Sequence, residues 1–295
     1  MASTLPGLAL AQDFSGAATL GYGLSSVDGT SDDLTSLTLD GRFVYDAGNG
    51  LTFGGDLSVA RVDVDGVSEN LTGSAYGVDV AYRLQNGLSL GAYLERAEID
   101  VSGLGDIAAT SFGIEAGYGV GQADIRVFAG RTDTSPELPP GIDVRDLGVT
   151  ATYAISDRLS LGAALVNTEI SGFGDSVDLR FVGVAGAYSL NDQWSFFGGI
   201  TETSVGVLDA DVRTMGLGLS YDMSQLVNFG SVASLELART RGSVSGFGSA
   251  DVDTIRLGLT IPLGSGDADV PLNSVADTVF NPRRNALSQG VLAAF

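Results

Sequence analysis

The sequence predicts an all-β fold, a transmembrane antiparallel up-and-down β-barrel of about 14 strands. The main support is a series of runs, each of about 11 residues, in which apolar and polar side chains alternate with period two. Short turns and longer polar connections also alternate along the chain, as is typical of membrane barrels. No run approaches the roughly 18 apolar residues that a membrane helix needs, so we expect strands to do any spanning.

The composition restricts the chemistry that the chain can perform. Its 295 residues carry 36 acidic and 15 basic side chains, for a net charge of −21, and every basic residue is Arg. Cysteine and histidine are both absent. Their absence excludes thiolate nucleophiles, histidine general bases, disulfides and the usual zinc sites. We therefore expect that the protein is not an enzyme and that it has no cofactor, no metal site and no nucleic-acid partner.

The repeating unit is a hairpin made of two alternating runs. Residues 76–96 show it most clearly, with Asn86-Gly87 as the tight turn. Single strands at 13–24 and 252–263 complete a barrel that spans 13–263, and an even number of strands returns both termini to the periplasm. The polar connections between hairpins lie at roughly 25–33, 62–73, 97–109, 132–146, 167–178, 201–212 and 240–253.

Alternation alone does not say which face meets lipid, because a soluble β-sandwich has the same pattern. Here the polar face consists mostly of Gly, Ser, Thr and Ala, whereas a water-exposed face would be expected to carry Lys and Glu. Six tyrosines also share the apolar face near the short turns, as in the aromatic girdle of a bilayer interface. The predicted girdle consists of Tyr45, Tyr82, Tyr118, Tyr153, Tyr188 and Tyr221.

Four arginines continue the apolar face at the opposite end of their strands, namely Arg61, Arg96, Arg131 and Arg239. Near an interface a charge on the lipid face costs only about 0–1 kcal/mol. A guanidinium there can bind the phosphates of lipopolysaccharide, which makes these residues lipopolysaccharide-contact candidates. They can equally pair with acids at the base of the loops, and the sequence leaves both interpretations open.

Eleven charged residues fall on the polar face and are predicted to line the lumen. Seven carboxylates against four guanidiniums would make the interior acidic and favour cations. The same groups could instead satisfy one another as salt bridges inside a filled barrel. A barrel of this size lined by small residues should still hold water, which favours an open or gated pore. The predicted lumen-lining residues are Asp40, Arg42, Asp56, Asp79, Arg83, Glu95, Glu115, Asp124, Arg126, Glu236 and Arg256.

The two ends of the chain lie outside the repeat. Residues 1–12 contain small residues at Ala9 and Ala11, as in the cleavage region of a signal peptide, so we interpret them as a signal-peptide remnant or an ordinary flexible terminus. Residues 264–295 contain Asn281-Pro282-Arg283-Arg284 and a short apolar end. This C-terminal segment is predicted to lie disordered in the periplasm, to dock on a partner or to plug the barrel.

The hairpin repeats from Asp13 to Leu263 and the six tyrosines resemble the porin-like outer-membrane barrels of Gram-negative bacteria, particularly the glycine-rich, acidic ones of alphaproteobacteria. The resemblance implies an outer-membrane location, contact with membrane lipid and lipopolysaccharide, insertion by the barrel-assembly machinery, and an oligomer as one option. The chain departs from general porins in three ways. We count fewer strands than their sixteen, see no loop long enough to form their constriction, and find Phe295 well beyond the last strand.

The resemblance and the acidic lumen together predict a channel for passive diffusion of small, preferentially cationic solutes. Two other classes of function remain open. One is a non-conducting structural or adhesive barrel that acts through its acidic surface loops. The other is a component of secretion or assembly.

Overall fold

The structure is a computed structural model that describes residues 13–29, 33–65, 70–101, 105–226, 230–246, 248–266 and 269–292. Fourteen antiparallel strands form a closed barrel in which each strand pairs with its sequence neighbours and the first pairs with the last. The predicted fold class and strand number are therefore confirmed. The predicted signal-peptide remnant, residues 1–12, lies outside the described residues.

The elements are numbered in chain order. The strands are β1 (Asp13–Val27), β2 (Asp33–Asp46), β3 (Leu51–Val64), β4 (Asn70–Arg83), β5 (Leu88–Val101), β6 (Gly105–Val120), β7 (Ala123–Ser135), β8 (Ile142–Ser156), β9 (Leu159–Gly172), β10 (Asp175–Ser189), β11 (Trp194–Val205), β12 (Ala210–Asp222), β13 (Val232–Val244) and β14 (Gly248–Gly264). Two short helices follow, α1 (Val275–Phe280) and α2 (Ala286–Leu292). Among the described residues, no helix is both long and apolar enough to cross a membrane.

The strands present their apolar side chains outward and their small or charged side chains inward. In β14, Ile255 and Leu257 are about half exposed on the outer surface, whereas Arg256 between them is buried. The seam between β1 and β14 runs in continuous register, with Leu20 opposite Leu259. Because the ring is closed, neither strand is left with an unpaired edge.

The polar stretches predicted as long connections are mostly strand. Residues 167–172 belong to β9 and residues 175–178 to β10, which leaves only Phe173-Gly174 between them. The strands are 12 to 17 residues long, more than the hydrocarbon layer requires. Cross-strand partners such as Arg239 and Asp253 continue the ladder in these polar parts, so the prediction of long outer loops was wrong there.

The C-terminal segment folds back against the inner wall. Leu272 contacts β1, Val275 contacts β13 and Asn285 contacts β7 and β8, each through a side chain of the inward face. Helix α1 also packs against β10, β11 and β12. A segment that touches strands all around a closed ring on their inward faces must lie inside it.

An apolar core forms where α1 meets the wall. Ala276 and Val279 of α1 are fully buried in one cluster with Phe181 and Phe197 of the barrel. Ser274 caps the start of the helix, and its hydroxyl accepts a hydrogen bond from the Asp277 amide at 3.1 Å. Serine at this position is a common N-cap, contributing about 1 kcal/mol. The core holds α1 against one half of the wall.

Candidate functional site

All eleven predicted lumen-lining residues lie on the inward face. Asp40, Glu95, Glu236 and Arg256 are buried there. Asp56, Asp79, Arg83, Glu115 and Arg126 line a shared interior cavity, Arg42 borders the same cavity, and Asp124 pairs with Arg126 at 3.2 Å. Some of these charges pair with each other in the wall, as Arg256 does with Glu236, which also accepts a hydrogen bond from the Val275 N–H at 3.0 Å. Others pair with charged residues of the C-terminal segment.

Three ion-pair groups join the wall to the C-terminal segment. Arg42 donates to both carboxylate oxygens of Asp277, each at 2.8 Å. Arg283 pairs with Asp56. Removing one partner of such a pair leaves the other charge buried and unpaired, which is costly. These contacts therefore fix where the segment sits in the lumen.

The third group surrounds Arg284. Its guanidinium donates to Glu95 at 2.8 Å and to Glu115 at 2.9 Å, and its main-chain N–H donates to Glu95 at 2.9 Å. Its central carbon lies 5.2 Å from the centre of the Tyr93 ring. Burial alone would lower the pKa of Arg284, but Glu95 and Glu115 raise it above its ordinary value. The residue therefore stays cationic inside the barrel.

Hydrogen bonds from uncharged donors complete the attachment of the C-terminal segment. The Asn285 amide donates to Thr132 at 3.0 Å and to Asp146 at 2.9 Å, and the Ala286 N–H donates to Thr168 at 2.9 Å. Asp146 also accepts from Thr132 at 2.5 Å and from Thr168 at 2.7 Å. The segment is thus bound by polar groups on one side of the ring and by the apolar core on the other.

Sequence reasoning missed three parts of this site. Asp146 was assigned to a connection, although the alternation through Val144 and Gly148 would have placed it on the inward face of β8. Tyr93 shares its inward face with Glu95, whereas the predicted girdle contains only outward tyrosines. The sequence alone does not pair Arg283 and Arg284 with the wall, although the excess of inward carboxylates indicates that cations must come from outside the strands.

Inward glycines provide the space that α1 occupies. A Cβ at Gly183 would lie 2.6 Å from a methyl carbon of Val279, and one at Gly216 would lie 2.7 Å from a methyl carbon of Val275. A Cβ at Gly199 would approach the Val275 carbonyl oxygen to 3.0 Å. A real Cβ atom does not approach another carbon as closely as the 2.6 Å and 2.7 Å found at Gly183 and Gly216. The glycines of β10, β11 and β12 therefore form a depression shaped for α1.

The C-terminal segment leaves a polar cavity of about 270 Å³ along the inward faces of β2–β8. Asp79, Arg83 and Ser89 of the wall line it together with Arg284 of the segment. A second cavity of about 70 Å³ lies between the segment and β2 and β3. The larger one has room for a small solute, whereas the smaller one has room for a few water molecules.

The six predicted girdle tyrosines all face outward near the short turns. Four of them, Tyr82, Tyr118, Tyr153 and Tyr188, are 42–50% exposed. Trp194 lies against Tyr221, with ring centres 4.6 Å apart, and extends the same level. This is the position expected of an aromatic girdle, and the contact with an interface stays a prediction.

The four lipopolysaccharide-contact candidates also face outward, at the other end of the barrel. Arg61 pairs with Asp63 at 3.1 Å, Arg96 with Glu98 at 3.2 Å and Arg239 with Asp253 at 3.1 Å. These pairs match the alternative in which the arginines meet nearby acids. Arg131 has no ion pair within the part of the chain that the structure describes.

A metal centre was not predicted, and the described ranges contain no group of three or more acidic side chains arranged to hold a metal ion. The described interior presents charged and polar groups to a cavity. Such a lumen can bind, admit or exclude solutes by charge and size.

A closed fourteen-stranded barrel with an apolar outer face and a charged interior defines an outer-membrane barrel of the channel type. The chain belongs to the Gram-negative porin family, whose profile matches residues 10–172 and 100–243. It is therefore a protein of the bacterial outer membrane. No curated protein matches it in sequence. The narrower resemblance to alphaproteobacterial barrels stays a prediction.

Several solved structures share the fold. A FadL homologue of Pseudomonas aeruginosa is 14% identical, with a TM-score of 0.53, over 84% of this chain and 90% of that one. An anion-selective porin of Comamonas acidovorans is 10% identical, with a TM-score of 0.53, over 85% and 100%. A mutant of the monoaromatic hydrocarbon channel TodX is 11% identical, with a TM-score of 0.54, over 86% and 90%. At these identities the similarity establishes the fold alone.

Proposed function

We propose that the protein is a channel for passive diffusion of small, preferentially cationic solutes across the outer membrane, and that the C-terminal segment is its plug. Transport of this kind needs neither turnover nor a cofactor, because the shape and the field of the lumen select the solute. The observation that carries the proposal is a set of inward carboxylates without a matching cation in the described structure.

Three features contribute to this surplus of negative charge, and Arg83, an inward guanidinium without an ion pair in the described ranges, offsets part of it. Glu95 and Glu115 share the single guanidinium of Arg284. Among the described residues, Asp146 accepts hydrogen bonds from the uncharged side chains of Thr132, Thr168 and Asn285 and has no ion pair. Asp79 lines the cavity and has no ion pair among the residues described. A lumen with surplus carboxylates raises the local concentration of cations and lowers that of anions.

The compared porin of Comamonas acidovorans is named as anion-selective. The carboxylate surplus supports the opposite preference for this chain. The C-terminal segment also affects transport, because it occupies the space through which solutes would pass. Passage therefore requires the segment to shift, and we expect the full chain to show brief openings and a low mean conductance.

Planar-bilayer recordings of the purified full chain test this function. In a salt gradient the reversal potential should have the sign of cation selectivity, and Asp79→Asn should reduce that selectivity because it removes a surplus charge. Asp178→Asn is the matched control, since Asp178 lies on the outward face with Asn167. A reversal potential that favours anions would reject the proposed selectivity.

A second candidate is a non-conducting structural barrel, and the filled lumen is the observation that favours it. A complete absence of current from both the full chain and a chain without the segment would select this candidate. Both candidate functions are compatible with insertion by the barrel-assembly machinery and with an oligomer. These two points stay predictions.

A further inference from the structure

The group around Arg284 has the composition of a recognition site for a guanidinium. We infer that Glu95, Glu115 and Tyr93 form a binding site for small solutes that carry a guanidinium group, and that Arg284 occupies this guanidinium site when the C-terminal segment is seated. The inference deepens the proposed function, because it names a class of cationic solute and the place where that solute binds.

The geometry matches a planar cation with donors on two sides. The two terminal nitrogens of Arg284 reach different carboxylates, Glu95 at 2.8 Å and Glu115 at 2.9 Å. The central carbon of the group lies over the Tyr93 ring, 5.2 Å from its centre, within the range of a cation–π contact. An ammonium is a compact point charge and lacks the planar fork of donors with which a guanidinium reaches two carboxylates. The site therefore favours guanidinium over amine.

The three residues of the guanidinium site all belong to strands of the wall. Tyr93 stands opposite Gly113 in the pairing of β5 with β6, and it lies between the levels of the two carboxylates. A Cβ at Gly130 would lie 2.2 Å from the Tyr93 hydroxyl, so this glycine leaves room for the ring. Phe128 meets the ring edge-on, with centres 6.0 Å apart. The site would persist if Arg284 moved away.

A cavity adjoins the guanidinium site and can hold the rest of a solute. The cavity of about 270 Å³ is lined by Glu95, Glu115 and Arg284 and extends to Arg83. Arg83 has no ion pair within the described ranges and is exposed, so it is available to a carboxylate at the other end of a solute. Free arginine combines both groups and is therefore a suitable probe.

A solute and Arg284 cannot occupy the guanidinium site together. When a competing group fills a site most of the time, the apparent affinity of a ligand falls by the fraction of time the site is free. Arg284→Ala should therefore bind arginine at least about tenfold more tightly than the unaltered chain does. Citrulline is the matched ligand control, because it replaces the guanidinium with a neutral urea group of the same shape.

Isothermal titration of the folded full-length chain in detergent gives the affinities. We expect tight arginine binding to Arg284→Ala, weaker binding to the unaltered chain and none to Arg284→Ala combined with Glu95→Gln and Glu115→Gln. Arg283→Ala is the control for general loosening of the segment, since Arg283 pairs with Asp56 outside the guanidinium site. Equal arginine affinity in Arg284→Ala and the unaltered chain, or equal binding of citrulline, would overturn the inference.

A second measurement needs no change at the site. The chain has no cysteine, so a single Ser288→Cys substitution reports the exposure of a buried position of α2 through its rate of labelling by a maleimide. Arginine should increase this rate and citrulline should not. Arginine binding without any ionic current would reject the proposed function and leave this inference standing. A cation-selective current, together with equal binding of arginine and citrulline, would reject this inference and leave the proposed function standing.

Discussion

Gly183 has no side chain, and this absence makes room for helix α1 of the C-terminal segment. The position faces inward, and Val279 fills the space that a side chain would take. Replacing any of the glycines under α1 therefore acts on the C-terminal segment first, because each strand is hydrogen-bonded along its length to two neighbours in a closed ring, whereas the segment is held by fewer contacts.

Gly183→Leu should displace α1 while the barrel stays closed. The Cβ alone would lie 2.6 Å from a Val279 methyl carbon, and the rest of the leucine side chain adds to the overlap. Labelling of a cysteine placed at Ser288 should become faster. Gly41→Leu is the control, since a side chain at Gly41 meets open space. Equal labelling rates in the two variants would contradict the steric argument.

At the scale of elements, the alternation of apolar and polar residues predicted the strands well, because each strand has one face toward lipid and one toward the lumen. The boundaries were less predictable. In β13 and β14 the outward residues change from leucine and isoleucine to Arg239, Arg241, Asp251 and Asp253, and the ladder continues through them as cross-strand ion pairs. The polar stretch at residues 240–253, predicted as a connection, therefore belongs largely to these two strands, and its period of two continues through it.

The seat of α1 depends on inward aromatic residues of two neighbouring strands. Phe181 in β10 is fully buried in the cluster that holds Ala276 and Val279. Phe181→Ala should weaken the docking of the C-terminal segment, since deletions of this kind cost about 3–5 kcal/mol. Hydrogen exchange of the α1 amides should speed up, with the strand amides unchanged.

Phe196→Ala provides the comparison, because Phe196 lies on the outward face and is 44% exposed. It should leave the α1 amides as protected as they are in the unaltered chain. Faster exchange throughout the barrel in Phe181→Ala would show that the residue supports the wall and not the seat of the helix.

At the scale of the whole molecule, the C-terminal segment converts a hollow ring into a filled one. Its place could not be read from the sequence, because the contacts join residues far apart in the chain, such as Arg284 to Glu95 and Asp277 to Arg42. The segment also has no repeating pattern that would predict a structure. The lumen-lining residues, by contrast, followed directly from the parity of each strand.

Ending the chain at Phe280 should open the lumen partially. Such a chain keeps α1 in its seat and loses the contacts of Arg283, Arg284 and Asn285 with β3, β5, β6, β7 and β8. Single-channel conductance should exceed that of the full chain. Heat-modifiable migration on a gel checks that the barrel is still folded. Unchanged conductance from a folded truncated barrel would contradict the role of the segment as a plug.

The turn from β14 into the interior is part of the seam that closes the ring. Gly264, with φ of 61°, lies opposite Ser15 of β1, and the next amide, from Ser265, donates to the Phe14 carbonyl at 3.0 Å. Glycine suits this left-handed backbone. Strand β14 closes the ring against β1 and leads through this turn into the C-terminal segment. A change that disturbs the turn should therefore affect both the closure of the ring and the position of the segment inside it.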